Sequence, residues 1–330
     1  MAGEKIHTRI AGIGVYVPET VLTNEALAKK FNTTVERIES LSGVRERHVA
    51  DEHMATSDLA VIAAQRALAD AGIGADDVDL VILATLCPDY MTTSAAPIIQ
   101  DKLGMKKAAA FDLNIACSGF VYGVTIGSQF IATGTYRNVL VVCAELFARL
   151  IDPEDFDLAI LAGDGAAAVV LQPGGEGHTI LSTYLGSDGS GYDAIYVPAG
   201  GTRTELTVDN VAAKEHKVRM KGLDVFMFGM ITLPQATERV LSMAGLGMED
   251  VALIIPHQAN MRIIQAAARR MGLPMEKFMV NLDRYGNTSS ASIPIALDEA
   301  ARTGRIKPGD VVVLTGFGAG LAWGAMVMRW

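Results

Sequence analysis

The chain has 330 residues, 28 of them basic and 37 acidic, for a net charge of −9. Half of it is hydrophobic and a fifth is charged, which excludes intrinsic disorder. The pI near 5.2 argues against a broad nucleic-acid-binding face, and the length suits two domains or one duplicated one.

Met1 to Lys5 lack the apolar stretch of a signal peptide, and Ala2 leaves no myristoylation site. Gly12-Ile13-Gly14 follows a strand-like run, but the third glycine and the distal acidic residue of a dinucleotide fingerprint are missing. Ser57 to Ala71 has helical periodicity, with Ser57 as N-cap and Gly72 as the stop. Val78 to Thr85 reads as a buried strand. A strand over Ala109 to Ile115 runs into a helix over Ser118 to Ala132, and Val139 to Cys143 is a further strand. The longest apolar run, Leu158 to Leu171, is interrupted by Asp164 and falls short of the ~20 residues of a membrane span. Gly163-Asp164-Gly165 is not followed by the Gly-Lys-Ser/Thr of a phosphate loop. Strands over Val251 to Ile255 and Val311 to Thr315 flank a helix over Ile293 to Thr303. Alternation of this kind predicts a layered α/β fold. Cys87, Cys117 and Cys143 show no CxxC spacing, so neither a disulfide framework nor a metal site is legible. Reduced thiols in a soluble cytoplasmic protein are expected.

The chain also echoes itself. Ala71-Gly-Ile-Gly-Ala-Asp-Asp-Val78 returns as Ala244-Gly-Leu-Gly-Met-Glu-Asp-Val251, Ile98-Ile99-Gln100 as Ile263-Ile264-Gln265, and Thr133-Gly134 as Thr303-Gly304. Three echoes in the same order predict two related halves of βαβ units, 1–173 and 174–330, divided in the polar stretch Gln172 to His178.

Cys117 falls at a strand-to-helix junction, where a helix N-terminus favours thiolate and is expected to lower the thiol pKa. The echo places Asn287 at the matching junction of the second half. His257 follows a strand in Pro256-His257-Gln258-Ala259-Asn260, where α/β folds collect ligands. His7, His53, His178 and His216 read as ordinary loop histidines. Gly316-Phe317-Gly318-Ala319-Gly320 is a turn whose backbone N–H groups can approach a ligand. Cys, His and Asn together fit two chemistries. One is papain-like thiol hydrolysis, in which Asn orients His. The other is decarboxylative condensation, in which Cys carries an acyl thioester while His and Asn donate hydrogen bonds to a malonyl thioester oxygen.

From about Ile10 to Trp330 the sequence resembles the β-ketoacyl-acyl-carrier-protein synthase III family of thiolase-fold condensing enzymes. The motifs are Gly43-Val-Arg45-Glu-Arg47-His48, Ala116-Cys117-Ser-Gly-Phe, Gly163-Asp-Gly165-Ala, Pro256-His257-Gln-Ala-Asn260, Gly286-Asn287-Thr-Ser and the terminal Gly-Phe-Gly-Ala-Gly-Leu-Ala-Trp323-Gly. The resemblance implies a homodimer with a thiolase-like, five-layered αβαβα core of duplicated βαβ halves. It implies Cys117 as nucleophile, His257 with Asn287 as the decarboxylation pair, and the backbone N–H groups of Cys117 and Ala319 as the oxyanion hole. Phe317 would lie near the His–Asn pair and Asn260 at the substrate. An acyl-CoA would prime the enzyme and malonyl-acyl carrier protein would extend it, with no metal or prosthetic group. A specialised-metabolism relative of the same fold with another acceptor is the alternative within the fold.

Several positions depart from the family pattern. Typical members clamp the CoA adenine between Trp and Arg. Here Arg37 and Phe156 hold those places, exchanged, so stacking or cation–π contact is expected to survive. Arg262 matches the family's basic residue for the carrier protein, and Arg269 and Arg270 extend its helix face, while a second basic position is Met227. Thr92 falls where acetyl-selective members present a bulky Phe from the partner subunit. With Met91, Met227 and Met230 as an adaptable wall, a primer longer than acetyl is expected.

Overall fold

The computed structural model describes residues 6–174 and 177–330. The N-terminal pentapeptide and, within the expected boundary, Gly175 and Glu176 lie outside the described residues. The strands of the main sheet are β1 (Thr8–Tyr16), β2 (Leu80–Ala84), β3 (Ala109–Leu113), β4 (Val139–Glu145), β5 (Gly165–Pro173), β6 (Thr179–Ser187), β7 (Val251–Pro256), β8 (Val311–Gly318) and β9 (Ala322–Arg329). The helices that matter to the site are α1 (Val35–Ser42), α2 (Thr56–Ala71), α3 (Ala95–Lys102), α4 (Gly119–Ala132), α5 (Gly222–Ala244), α6 (Met261–Met271) and α7 (Ser292–Arg302).

The strand order repeats, as the echoes predict. In the first half it is β3-β2-β4-β5-β1. There β2 is parallel to β3 and β4, and β5 is antiparallel to β4 and β1. In the second half β7 is parallel to β8, and β9 is antiparallel to β8 and β6. An isolated parallel bridge between Ile254 and Phe278 stands in the place of β3. One bridge, Arg9 to Thr179, joins the two sets at β1 and β6.

Helices α4 and α7 fill the space between the two sets, α2 and α3 cover one outer face, and α5 and α6 cover the other. This is the five-layered thiolase arrangement. Composition explains the layers. Helix α4 buries residues on both sides, including Phe120, Val121, Val124 and Ile131, so it suits the middle layer. Helix α6 buries Ile263, Ile264 and Ala267 and leaves Arg262, Arg269 and Arg270 exposed, so it belongs outside. Each fully buried aliphatic side chain contributes ~1.5–3 kcal/mol, and the middle layer alone holds Ile82, Val141, Val169, Ile255, Ile293 and Leu314.

Two expectations need correction. Ser57 is not the N-cap of α2. That position is Ala55, whose N–H is taken by the Asp58 carboxylate at 2.8 Å. Asp89 accepts both the Ser57 N–H (2.9 Å) and its Oγ (2.6 Å), so a distant carboxylate satisfies the first turn in place of a local hydroxyl. The strand expected over Val78 to Thr85 is shortened to β2 by a 3-10 turn at Ala75–Asp77. The glycines of Gly12-Ile13-Gly14 serve packing. A Cβ at Gly12 would lie 2.4 Å from the Ala71 N, and one at Gly14 would lie 2.2 Å from the Ala63 O, so α2 could not approach β1. Among the described residues no helix is long and apolar enough to cross a membrane.

Candidate active site

Cys117 sits in a 3-10 turn, Ala116–Ser118, that feeds directly into α4. Ala116 has a left-handed φ of 50°, a conformation that non-glycine residues adopt at a cost of ~1–3 kcal/mol. The end of β8 lies against this turn. A Cβ at Gly318 would come within 3.0 Å of the Cys117 N and Cβ, so only glycine lets the strand pass.

His257 emerges at the end of β7, and its N–H bonds the Thr315 carbonyl of β8 at 2.8 Å. The imidazole is buried. Its Nδ1 lies 2.7 Å from the Ser292 Oγ at the start of α7, and that Oγ accepts the Gln258 N–H at 3.3 Å. Among the described residues the Ser292 hydroxyl has no other acceptor, so it donates to Nδ1 and the ring proton belongs on Nε2. The Phe317 ring stands edge-on to the imidazole, with centroids 5.6 Å apart.

Asn287 is fixed by its backbone. Its N–H donates to the Leu161 O at 2.8 Å, and its O accepts from the Gly163 N–H at 3.0 Å. Its Oδ1 accepts the Ser289 N–H at 2.8 Å, and its Nδ2 donates to no protein group among the described residues. The Arg47 side chain, fully buried, runs beneath this strap. It bonds the Leu22 O, the Asn24 Oδ1 and the Ile160 O, and it packs under Gly163 and Gly286. Burial holds its guanidinium down at about 10. This is the structural meaning of the Gly43-to-His48 motif.

Cys117, His257, Asn287, Phe317 and Ala319 line one cavity of about 1140 Å³. The Ala319 N–H donates to no protein group among the described residues. The electrostatics correct the sequence reading of the thiol. Burial pushes Cys117 up to about 12, and the nearby Glu145 adds to it. Burial outweighs the helix terminus, so in the resting protein the thiol keeps its proton. Burial also drives His257 down to about 3, leaving a neutral ring at neutral pH. The site therefore offers a thiol and two uncommitted N–H donors on side chains, with the cavity's cations, Arg262 and Arg269, both on α6.

The peripheral candidates divide. Asn260 lines the cavity, but it is committed to structure: Oδ1 caps α6 through the Arg262 N–H (2.8 Å) and Nδ2 holds the Leu41 O (3.1 Å). Arg262 and Arg269 line the cavity mouth on one stripe of α6, and Arg270 is turned away from it by helical geometry. Arg37 and Phe156 do not line the cavity. Each neighbours a residue that does, Leu41 one turn along α1 and Asp157 next in sequence. Phe156 packs edge-on to Phe31, with centroids 5.2 Å apart. The methionine wall needs correction. Met91 is at the cavity but Met227 and Met230 are not, and Met220 and Phe226 take their place. Thr92 is exposed and outside its own chain's cavity. His216, read as an ordinary loop residue, belongs to the cavity wall, with its Nδ1 buried and unpartnered among the described residues.

Three residues were missed from sequence: Ser289, Ser292 and Glu145. The serine-rich run after Asn287 was the available signal for the first two. Glu145 ends an apolar strand with no local mark except its charge in a buried run. Among the described residues no cluster of three His, Cys, Asp or Glu could hold a metal.

Comparison with known proteins agrees with this architecture. The model of 3-oxoacyl-[acyl-carrier-protein] synthase III matches residues 111–189, and that of its C-terminal part matches 241–330. A β-ketoacyl-[acyl-carrier-protein] synthase III of Symbiobacterium thermophilum is 48% identical over 321 residues, 97% of each chain. One of Clostridioides difficile is 49% identical over 97% of this chain and 98% of its own. The crystal structure of 3-oxoacyl-[acyl-carrier-protein] synthase III from Aquifex aeolicus superposes with a TM-score of 0.89 at 40% identity, covering 98% of this chain and all of that one. With these identities running almost end to end through a duplicated five-layered fold, the chain belongs to the β-ketoacyl-[acyl-carrier-protein] synthase III family.

Proposed function

We propose that the protein catalyses the initiating condensation of fatty acid synthesis: an acyl-CoA primer and malonyl-acyl carrier protein give 3-oxoacyl-acyl carrier protein, CO2 and CoA. The observation that carries this reading is that Cys117 shares one cavity with His257 and Asn287, whose Nε2 and Nδ2 donate to no protein group among the described residues. Cys117 attacks the primer carbonyl, and the N–H groups of Cys117 and Ala319 hold the oxyanion. The malonyl thioester then sits with its carbonyl oxygen at His257 Nε2 and Asn287 Nδ2. Charge develops on that oxygen as CO2 leaves, and two fixed N–H donors in a dry cavity stabilise it. The carbanion attacks the acyl-Cys117 thioester and expels the thiolate. A neutral His257 suits this step, because a donor is required there. The chemistry balances without a metal or prosthetic group.

The cavity's size and its apolar wall of Leu86, Phe147, Leu150 and Leu158 support a primer longer than acetyl. In the cytoplasmic homodimer that this reading carries with it, Thr92, exposed and outside its own chain's cavity, would reach the partner's site. Arg262 and Arg269 would meet an acidic carrier protein, and Arg37 with Phe156 the CoA adenine. Intact-protein mass after incubation with acyl-CoAs from acetyl to dodecanoyl tests the first half-reaction. An adduct absent from Cys117→Ala, strongest at intermediate chain length, is expected. No adduct with any acyl-CoA would overturn the reading.

A further inference from the structure

Acylation must take a proton from Cys117, and His257 is poorly placed to receive it, since its Nε2 carries the hydrogen that the decarboxylation step uses. The structure offers a different route. Cys117 Sγ lies 3.5 Å from the Ser289 Oγ, and that Oγ lies 3.2 Å from the Glu145 Oε1. A hydroxyl so placed accepts from a thiol and donates to a carboxylate at the same time. Ser289 is held there in a left-handed conformation, φ 49°, opposite the left-handed Ala116.

Glu145 is itself unusual. It is fully buried at the end of β4, and among the described residues no basic side chain bonds it. It is surrounded by donors instead. Ser289 and Ser290 (2.6 Å) meet Oε1, while the Leu86 N–H (3.0 Å), the Cys87 thiol (3.2 Å) and the Thr85 hydroxyl (3.4 Å) meet Oε2. Donors of that number keep a buried carboxylate able to exist as an anion, and burial raises its proton affinity toward that of a useful acceptor. The condensation reading above gives this carboxylate no part.

We infer that Ser289 relays the Cys117 thiol proton to Glu145 during acylation, and that Glu145 returns it by the same route when condensation expels the Cys117 thiolate. This rests on the proposed condensation. The steps balance. In acylation the S–H bond of Cys117 breaks, the Ser289 hydroxyl gains that hydrogen and passes its own to Glu145, and the primer's C–S bond to CoA breaks as the bond to Sγ forms. The CoA thiolate leaves and takes a proton from water. Glu145 stays neutral through decarboxylation, so no anion faces the developing carbanion. In the last step the carbanion forms the new C–C bond, the Cys117 thiolate departs, and the proton comes back through Ser289. Ser289 touches the reacting sulfur and is a catalytic residue in this scheme. Glu145 acts through it and is a positioning residue.

Ser289→Ala is the test, read by single-turnover acylation of Cys117 with acyl-CoA and, separately, by CO2 release from malonyl-acyl carrier protein on enzyme already acylated. Acylation is expected to slow on the order of 100-fold, with CO2 release within about threefold. The titratable groups that face Glu145 are the thiols of Cys87, Cys117 and Cys143. Of these the acylation rate reads only Cys117, and in Ser289→Ala that rate should climb about tenfold per pH unit, as hydroxide replaces the relay, where the wild type is flatter. Glu145→Gln should reproduce the acylation defect if its melting temperature is kept. Should it fail to fold, Ser289→Ala decides alone. Acylation of Ser289→Ala within twofold of wild type, with an unchanged pH profile, would overturn the relay. So would an equal loss in both half-reactions, the mark of a structural role. Wild-type enzyme that never acylates at Cys117 would sink the condensation reading and the relay together, whereas failure of the relay alone leaves wild-type acylation intact.

Discussion

Ser292→Ala should damage one half-reaction and spare the other. The Ser292 hydroxyl bonds the His257 Nδ1 at 2.7 Å in a fully buried setting, and Gln258 N–H is its remaining partner. Removing the hydroxyl changes almost no volume. It does leave Nδ1 without a donor, and a buried polar atom left unpaired costs ~1–3 kcal/mol. With the hydroxyl gone nothing holds the proton on Nε2 or the plane of the ring, so Nε2 donates less well to the malonyl thioester oxygen. The loss falls on the decarboxylation transition state, so kcat for CO2 release should drop between about 5-fold and 150-fold. KM for malonyl-acyl carrier protein should move little, because the lost interaction strengthens mainly as charge develops. Acylation of Cys117 by acyl-CoA should stay within about twofold. The assays are CO2 release on acylated enzyme and adduct mass on the free enzyme, with a melting temperature to register the Gln258 N–H, whose loss of one acceptor costs ~1 kcal/mol. CO2 release within twofold of wild type would show that Ser292 does not set the tautomer of His257. A parallel fall in acylation would show that it holds the turn instead.

Acid stability tests the buried imidazole. His257 is held down at about 3 by burial, against an unfolded value near 6.5. Below pH 6.5 the unfolded chain binds a proton that the native ring refuses, so the stability present above pH 6.5 falls by ~1.4 kcal/mol per pH unit as pH drops toward 3. Denaturant titrations from pH 7 to 4 should show His257→Gln losing less stability than wild type over that window, and identical pH dependence would refute the assignment. Arg262→Glu combined with Arg269→Glu should raise KM for malonyl-acyl carrier protein at least tenfold at low ionic strength, with the difference shrinking as salt is added. An unchanged KM would remove α6 as the docking face.

The layered fold was readable because it is written in periodicity. Buried strands leave short aliphatic runs such as Val139 to Cys143 and Val311 to Thr315, and a duplicated chain repeats its helix stops and turns at Gly72 and Gly245 in register. The meeting of Cys117, His257 and Asn287 in one cavity was readable for a related reason. Cys117, His257 and Asn287 each end a strand or open a helix, and the topology of such folds sends those junctions to one cleft. What sequence hid were quantities set by three-dimensional surroundings. Whether a helix terminus or burial governs the Cys117 thiol is a contest of magnitudes, and no local motif reports burial. Which methionines reach the cavity depends on which side of α5 faces in, so Met227 and Phe226, adjacent in sequence, part company.

The serines after Asn287 illustrate the same limit from the other side. Ser289, Ser290 and Ser292 look like one polar run at a helix start, the usual place for caps. In the fold none of them is used as a side-chain cap for α7. Ser289 faces Cys117 and Glu145, Ser290 faces Glu145 and the Ala84 O, and Ser292 faces His257. The 3-10 turn and the helix that follows it turn each successive residue by ~100–120°, so three near neighbours in sequence point to different parts of the site. The run is polar because the nucleophile, the buried carboxylate and the imidazole all converge on the start of α7. A buried site of this kind has few waters to supply hydrogen bonds, and the serines supply them instead. Ser289 serves the Cys117–Glu145 side of the site and Ser292 the His257 side, which is why Ser289→Ala and Ser292→Ala are expected to separate the two half-reactions in opposite directions.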